Sequence, residues 1–472
     1  MGNPKAFLTV HRKEAGYRPV HDRISDFSEV EQTLNSNDRR TQASRCMDCG
    51  VPFCHWACPL GNKQPEWQDQ LYKSHWKEAY HILSATCDFP EFTGRVCPAL
   101  CEKSCVLNLS CGEPVTIREN EAAITEGAFR EGYVVPQHPV RNGKKVAVIG
   151  SGPSGLTAAN RLNHAGYLVT VFEKDELPGG LLRFGIPNFK LSKTIVDRRL
   201  NLMKEEGVEF KTQVKIGKDI SAQELSDQFD AICIAIGTGV PRDLPIEGRD
   251  LKGVHFALEL LGQQNRMLEG IAVPAKEQIS CKGKKVLIIG GGDTGSDCVG
   301  TANRQGATSV TQIEIMPQPP VGSNPATPWP MWPQILRTSS SHEEGCIRRW
   351  NLSSDHFIGE NGKLKGVEVE EVEWIPVPGG RPQMKKTGKK EVIEADLVFL
   401  AMGFISPEQE GLVSDLKLAT NQRKNIAVDE NNRTSADKVF ACGDSVNGAT
   451  LVVRAMASGR QTAEAIDRFL SK

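Results

Sequence analysis

From Lys144 to Lys174 the chain alternates apolar and polar positions as strand, glycine turn, helix and strand: KKVAVIGSGPSGLTAANRLNHAGYLVTVFEK. The pattern returns 140 residues later from Lys284, as KKVLIIGGGDTGSDCVGTANRQGATSVTQIEI. Short apolar runs bounded by glycine predict strands buried on both faces, and the amphipathic stretch between them predicts a crossover helix. Two further apolar runs, DAICIAIGTG (230–239) and DLVFLAMGF (396–404), read as buried strands ending in glycine. The upstream residues carry helix-like stretches such as Glu66–Ser84 between Pro- and Gly-marked turns. An α/β architecture follows. A helical module (1–143) precedes one nucleotide-type domain (144–245 with 403–472), into which a second (246–402) is inserted. The Pro-, Trp- and Ser-rich stretch Met316–Trp350 shows no period and reads as an ordered loop excursion.

At 472 residues the chain is long enough for several well-buried cores. Its 57 basic and 58 acidic residues leave a formal charge of −1. That balance offers no global field for nucleic acid or an anionic membrane, so neither is expected as a partner. No run of about 18 apolar residues, the length a helix needs to span a bilayer, occurs in the sequence. The opening MGNPKAFLTVHRKEAGYRP lacks an apolar leader core and has Ala6 where a myristoylation signal takes Ser or Thr. A cytoplasmic address is the expectation.

The first glycine turn, Gly150-x-Gly152-x-x-Gly155, follows a strand and opens a helix, the context a dinucleotide fingerprint needs. Such a turn presents backbone N–H groups and a helix N-terminus to a pyrophosphate. Glu173 closes the next strand, 23 residues after Gly150, where a carboxylate can bind ribose hydroxyls. Gly290-x-Gly292-x-x-Gly295 repeats the arrangement, with Glu314 placed 24 residues after Gly290. Two Rossmann-like sites imply one flavin and one nicotinamide nucleotide, held so that hydride passes between their rings.

Nine of the 14 cysteines fall between Cys46 and Cys111. In a reducing compartment such clustering points away from disulfides. Cys46-x2-Cys49-x4-Cys54-x3-Cys58-Pro59 and Cys97-Pro98-x2-Cys101-x3-Cys105 are iron–sulfur spacings and hold more thiols than one cubane needs, so two [4Fe-4S] clusters are expected. Zinc is the rival reading, but neither set contains a second C-x2-C pair. Cys233, Cys281, Cys298, Cys346 and Cys442 read as small buried apolar residues, while Cys87 and Cys111 stay ambiguous.

The order GSGPSG, GGLLRFGIP (179–187), AIGTG, GGGDTGSDC and VFACGD (439–444) resembles the two-dinucleotide-domain flavoprotein reductases of glutathione-reductase-like fold. The resemblance implies that Gly150, Gly152, Ser154, Gly155, Glu173, Gly180, Gly237, Gly443 and Asp444 contact FAD. It also implies that Leu451 and Val452 open a helix aimed at the flavin ring. By the same likeness Gly290, Gly292, Asp293, Thr294 and Gly295 hold NAD(P)H, and no catalytic side chain is implied beyond the flavin. Thioredoxin reductase matches poorly, because Cys298 has no partner three residues away.

NPKAFLTVHRKEAGYRPVHDRISDF, CMDCGVPFCHWACPLGN, GRVCPALCEKSC and IEIMPQPP followed by PWPMWPQILRTSSSHEEG resemble the small subunits of glutamate synthase over nearly the whole chain. The N-terminal part of dihydropyrimidine dehydrogenase is similar too. The likeness implies that Cys46, Cys49, Cys54 and Cys105 hold one cluster and that Cys58, Cys97 and Cys101 hold the other. Glu121 stands where the dehydrogenase relatives place a glutamine ligand, with Cys111 as the competing fourth ligand. Arg304 matches a phosphate-contacting position, whereas Glu314 suits a free 2′-hydroxyl, so NADH and NADPH both stay open. The implied partner is the FMN-containing large subunit, which makes glutamate from glutamine and 2-oxoglutarate. The alternatives are a reductase subunit for a ferredoxin-linked or other oxidoreductase complex, and a non-enzymatic zinc-stapled scaffold with vestigial nucleotide folds.

Overall fold

Runs such as KVAVI and KVLII cannot leave their backbone unpaired once buried, so they pair as central strands flanked by helices. The computed structural model describes residues 3–377 and 379–471. Met1, Gly2 and Lys472, the outermost residues of the expected domains, lie outside that description, as does Pro378.

The first nucleotide fold starts with β1 (Lys145–Ile149), β2 (Leu168–Phe172), β3 (Glu209–Lys211) and β4 (Ala231–Ile234). β5 (Val240–Pro241) leads into the second fold, which contains β6 (Val254–Phe256), β7 (Lys285–Ile289), β8 (Ser309–Ile313) and β9 (Ile347–Arg349). A meander, β10 (Leu352–Glu360), β11 (Lys363–Ile375) and β12 (Gln383–Glu394), precedes β13 (Leu397–Leu400). β14 (Phe404–Ser406) returns the chain, and β15 (Val439–Ala441) completes the first sheet. That sheet has the order β15-β4-β1-β2-β3 and the second has β6-β13-β7-β8-β9, with every pair parallel in both. β5 and β14 pair antiparallel where the chain crosses between the folds. The doubly wound α/β expectation is met twice.

The meander is antiparallel, and Phe357, Leu364, Val367 and Val369 pack it against Leu287, Ile289 and Val398 of the second sheet. Residues 316–339, within the predicted excursion, contain no regular element; helix Ser340–Glu343 and β9 end it.

Residues 6–130 form short helices, the longest being Ile117–Arg130 at 14 residues. Pro65 and Pro90 start two of them in the first turn, where a missing N–H costs nothing. The module shares its core with the first nucleotide fold: Trp67, Leu83, Phe89 and Phe92 belong to the same buried cluster as Leu156, Leu162, Val453 and Met456. Ion pairs cross the same boundary, with Arg199 donating to both carboxylate oxygens of buried Glu91 and Arg161 pairing with Asp88. Among the described residues no helix is long and apolar enough to cross a membrane.

Candidate functional site

Gly150 closes β1 at φ +100°, and a Cβ there would stand 2.4 Å from the Ala235 carbonyl oxygen of the neighbouring strand's end. Only glycine fits. A Cβ on Gly155 would fall 2.0 Å from the Gly150 carbonyl oxygen, whereas one on Gly152 would meet nothing within 4 Å. The turn is thus tight against protein on one side and open on the other, at the N-terminus of helix Pro153–His164. Gly180 stacks on Gly152, Gly443 packs against Ser154, and Gly237 follows β4. Asp444 begins the next short helix and accepts hydrogen bonds from the Thr450 N–H (3.2 Å) and hydroxyl (2.6 Å). Leu451 caps helix Val452–Leu470.

Buried Glu173 accepts from the Ser151 N–H at 3.1 Å and from its hydroxyl, while its other oxygen accepts from the Asp175 N–H at 3.0 Å. The second turn repeats this design. Gly290 has φ +122° with a Cβ position 2.3 Å from the Ala401 carbonyl oxygen, and Gly292 faces open space. Glu314 accepts from the Gly291 N–H at 2.6 Å and the Met316 N–H at 3.1 Å. Asp293 and Thr294 open helix Asp293–Arg304.

Arg304 sits at the far end of that 12-residue helix, away from the turn. Its side chain is fully buried, paired with equally buried Glu344 and bonded to the carbonyls of Asp26 and Gly300. Glu344, Asp26 and Gly300 thus take guanidinium N–H groups that the expected phosphate contact would use, and in this structure Arg304 stands as a buried structural cation. Glu344 also pairs with Arg23 from the N-terminal module at 2.8 Å.

The structure sorts the cysteines into two places. Cys46, Cys49, Cys54 and Cys105 line one small pocket with Phe53, Gln68 and Val115. Cys58, Cys97 and Cys101 lie in a second place, close enough to Glu121 for its charge to raise the pKa of each thiol. Burial is the largest cause at every one, pushing Cys46 and Cys97 to about 12. Glu121 is buried in helix Ile117–Arg130, accepts from the Thr93 hydroxyl, and is pushed up to about 7, chiefly by burial. Cys87 also reaches this place, with Sγ 4.0 Å from Glu121 Oε1. Cys111 is exposed and bonds the Leu107 carbonyl. Cys233, Cys281, Cys298 and Cys442 are buried, whereas Cys346 is partly exposed. Among the described residues no three His, Cys, Asp or Glu groups converge to hold one metal ion.

Between these parts lies a cavity of about 610 Å³, a size typical of cofactor sites. Its walls include Asp293 and Asp297 from the second nucleotide fold, Thr450, Leu451 and Val452 from the first, and Cys97 and Pro98 from the N-terminal module. Lys190 and Asp297 form an ion pair across the two nucleotide folds on this wall. Sequence reading missed that pair, because neither residue belongs to a spaced motif. It also missed Gln312, whose amide donates to the Gly290 carbonyl at 2.8 Å and whose oxygen lies 2.8 Å from His342 Nε2.

Comparison with known proteins agrees with this geometry. The pyridine nucleotide-disulphide oxidoreductase model matches residues 144–459, and that of dihydropyrimidine dehydrogenase domain II, 4Fe-4S cluster, matches residues 23–133. The glutamate synthase [NADPH] small chain of Mycobacterium tuberculosis is 47% identical, covering 100% of this chain and 96% of the relative. The glutamate synthase [NADH] of Schizosaccharomyces pombe is 42% identical over 98% of this chain and 22% of its own length. In fold, the chain is similar to Mycobacterium tuberculosis FprA in complex with NADPH, with a TM-score of 0.55 at 19% identity, covering 70% of this chain and 85% of that one. With an iron–sulfur-type module fused to a pyridine-nucleotide oxidoreductase core and full-length identity at this level, the chain belongs to the glutamate synthase small-chain family of flavin oxidoreductases.

Proposed function

We propose that this chain is the electron-input subunit of a glutamate synthase. It takes two electrons as hydride from NAD(P)H and passes them on singly to a large chain that makes glutamate from glutamine and 2-oxoglutarate. The observation that carries this reading is the shared cavity, where the start of the nicotinamide-side helix, the start of helix Val452–Leu470 and a cluster-type cysteine face one space.

The open sides of the two glycine turns are cradles that fit pyrophosphates. Gly150, Gly152, Ser154, Gly155, Glu173, Gly180, Gly237, Gly443, Asp444, Leu451 and Val452 would hold FAD. Gly290, Gly292, Asp293, Thr294, Gly295 and Glu314 would hold the nicotinamide nucleotide. The all-thiol donor set Cys46, Cys49, Cys54 and Cys105 fits one [4Fe-4S] cluster, and Cys58, Cys97 and Cys101 with Glu121 fit a second. FAD, when bound, supplies the exchange between two-electron hydride chemistry and one-electron transfer. The chain's own contribution is positional. Glu173 and Glu314 fix ribose, the backbone N–H groups orient phosphates, and the cavity walls exclude water from the meeting place. The buried thiols keep their protons until iron is bound, since metal binding releases them.

Anaerobic purification tests this reading. The expected protein shows flavin absorption with a broad cluster shoulder, oxidises NAD(P)H with artificial acceptors, and forms glutamate only once a large chain is added. A colourless, zinc-containing product would overturn the reading. So would a holoprotein that reduces ferredoxin yet never supports glutamate formation with the large chain.

A further inference from the structure

The excursion from the second nucleotide fold does not end in solvent. It is braced internally: Leu336 N–H bonds the Pro320 carbonyl (2.9 Å), Asn324 bonds the Gln334 carbonyl (2.8 Å), and Gln334 N–H bonds Thr327 Oγ1 (3.0 Å). A loop closed at its base and packed by its own side chains can hold one residue in a fixed place. That residue is Trp329, which is partly buried while most of residues 321–331 are exposed. Its indole N–H donates to the Cys105 carbonyl at 3.3 Å, a contact spanning 224 positions of sequence. Its ring centroid lies 4.7 Å from that of Phe53.

Those partners belong to two different supports of the first cysteine set. Phe53 begins the five-residue helix Phe53–Ala57, which carries Cys54, and Cys105 caps the five-residue helix Val106–Ser110. Helices this short do not hold themselves in water, so their relative position depends on outside contacts. Phe53 also lines the pocket formed by Cys46, Cys49, Cys54 and Cys105.

We infer that Trp329 is a positioning residue for the first cysteine set, clamping the Cys54 and Cys105 supports together. The inference rests on the reading of those four thiols as a cluster ligand set. It makes retention of that cluster depend on an indole supplied by the nicotinamide-nucleotide fold. Outer contacts of this kind change metal affinity about 10- to 100-fold when removed.

The test compares anaerobic full-length wild type, Trp329→Ala and Trp329→Phe, following iron transfer to a chromogenic chelator together with the electron paramagnetic resonance signals of the reduced clusters. In Trp329→Ala about half of the iron should leave roughly tenfold faster or more, with one cluster signal lost and the other unchanged. Trp329→Phe, which keeps the ring on Phe53 but not the N–H, should restore most of the protection. Wild-type release kinetics in Trp329→Ala would overturn the clamp, as would equal acceleration for all the iron, the mark of general destabilisation. A wild-type chain that binds no iron and sulfide would instead defeat the ligand-set reading, and the two failures are told apart by the wild-type iron content.

Discussion

Glu314 and Glu173 perform the same act at two turns, each accepting the N–H of the residue after the first glycine. A carboxylate so fixed favours a free 2′-hydroxyl and repels a 2′-phosphate. Glu314→Ala should therefore raise KM for NADH by about tenfold, equivalent to one lost charge-assisted hydrogen bond, while lowering it for NADPH as the repulsion is removed. Steady-state kinetics with both nucleotides checks this, and equal losses would reject the ribose role. His342 supports the same turn from beneath. The Ser339 N–H points at its Nδ1, so Nε2 carries the proton toward Gln312. Burial, with Arg348 and Lys190 nearby, pushes the imidazole down to about 4. Between that value and the ordinary histidine value near 6.5 the unfolded chain binds a proton that the folded chain does not, so stability falls as pH drops through this window. Thermal unfolding at pH 7.5 and 5.0 should show a larger fall for wild type than for His342→Gln. The carboxylate pair was legible in the sequence from spacing alone. Gln312 and His342 were not, because they meet only when β8 and helix Ser340–Glu343 stand side by side.

At the scale of elements, spacing fixed the two strand-turn-helix units, since apolar period and glycine position are local properties. How the elements touch is another matter. Helix Val452–Leu470 crosses helix Pro153–His164 at Gly459, where a Cβ would stand 2.3 Å from the Ser154 carbonyl oxygen. No motif singles out Gly459, and its need becomes visible only with the crossing in place. Backbone cannot yield as a flexible side chain does. Gly459→Ala should cost about 1–3 kcal/mol from overpacking and loosen flavin retention, because Ser154 also supports Gly443. Chemical unfolding together with flavin released on dilution would measure both effects. The cysteine elements were only half legible. The ligand spacings are local, but the sorting of Cys105 with Cys46, Cys49 and Cys54 came from likeness, as nothing in the spacing brings residue 105 back to 46.

The whole molecule is held by charges that sequence inspection scatters over distant segments. Glu91–Arg199 locks the N-terminal module to the first nucleotide fold, with Glu91 fully buried and the Arg199 side chain 7% exposed. Removing one partner of a buried pair strands the other charge, at about 3–5 kcal/mol, even where the intact pair adds little over an apolar substitute. Glu91→Ala should thus lower stability by that order, whereas the double replacement Glu91→Leu with Arg199→Met should recover much of it. Denaturation midpoints of the three proteins decide the matter. Glu344 plays the matching part on the other side, binding Arg23 and Arg304 together.

The chamber at the centre has no single owner. Each of the three bodies contributes side chains to it, so a substitution that shifts any one of them alters the fit that the other two have to meet. Grafting a foreign nucleotide fold onto the cysteine module would join two sound halves and leave a room that leaks at the seam.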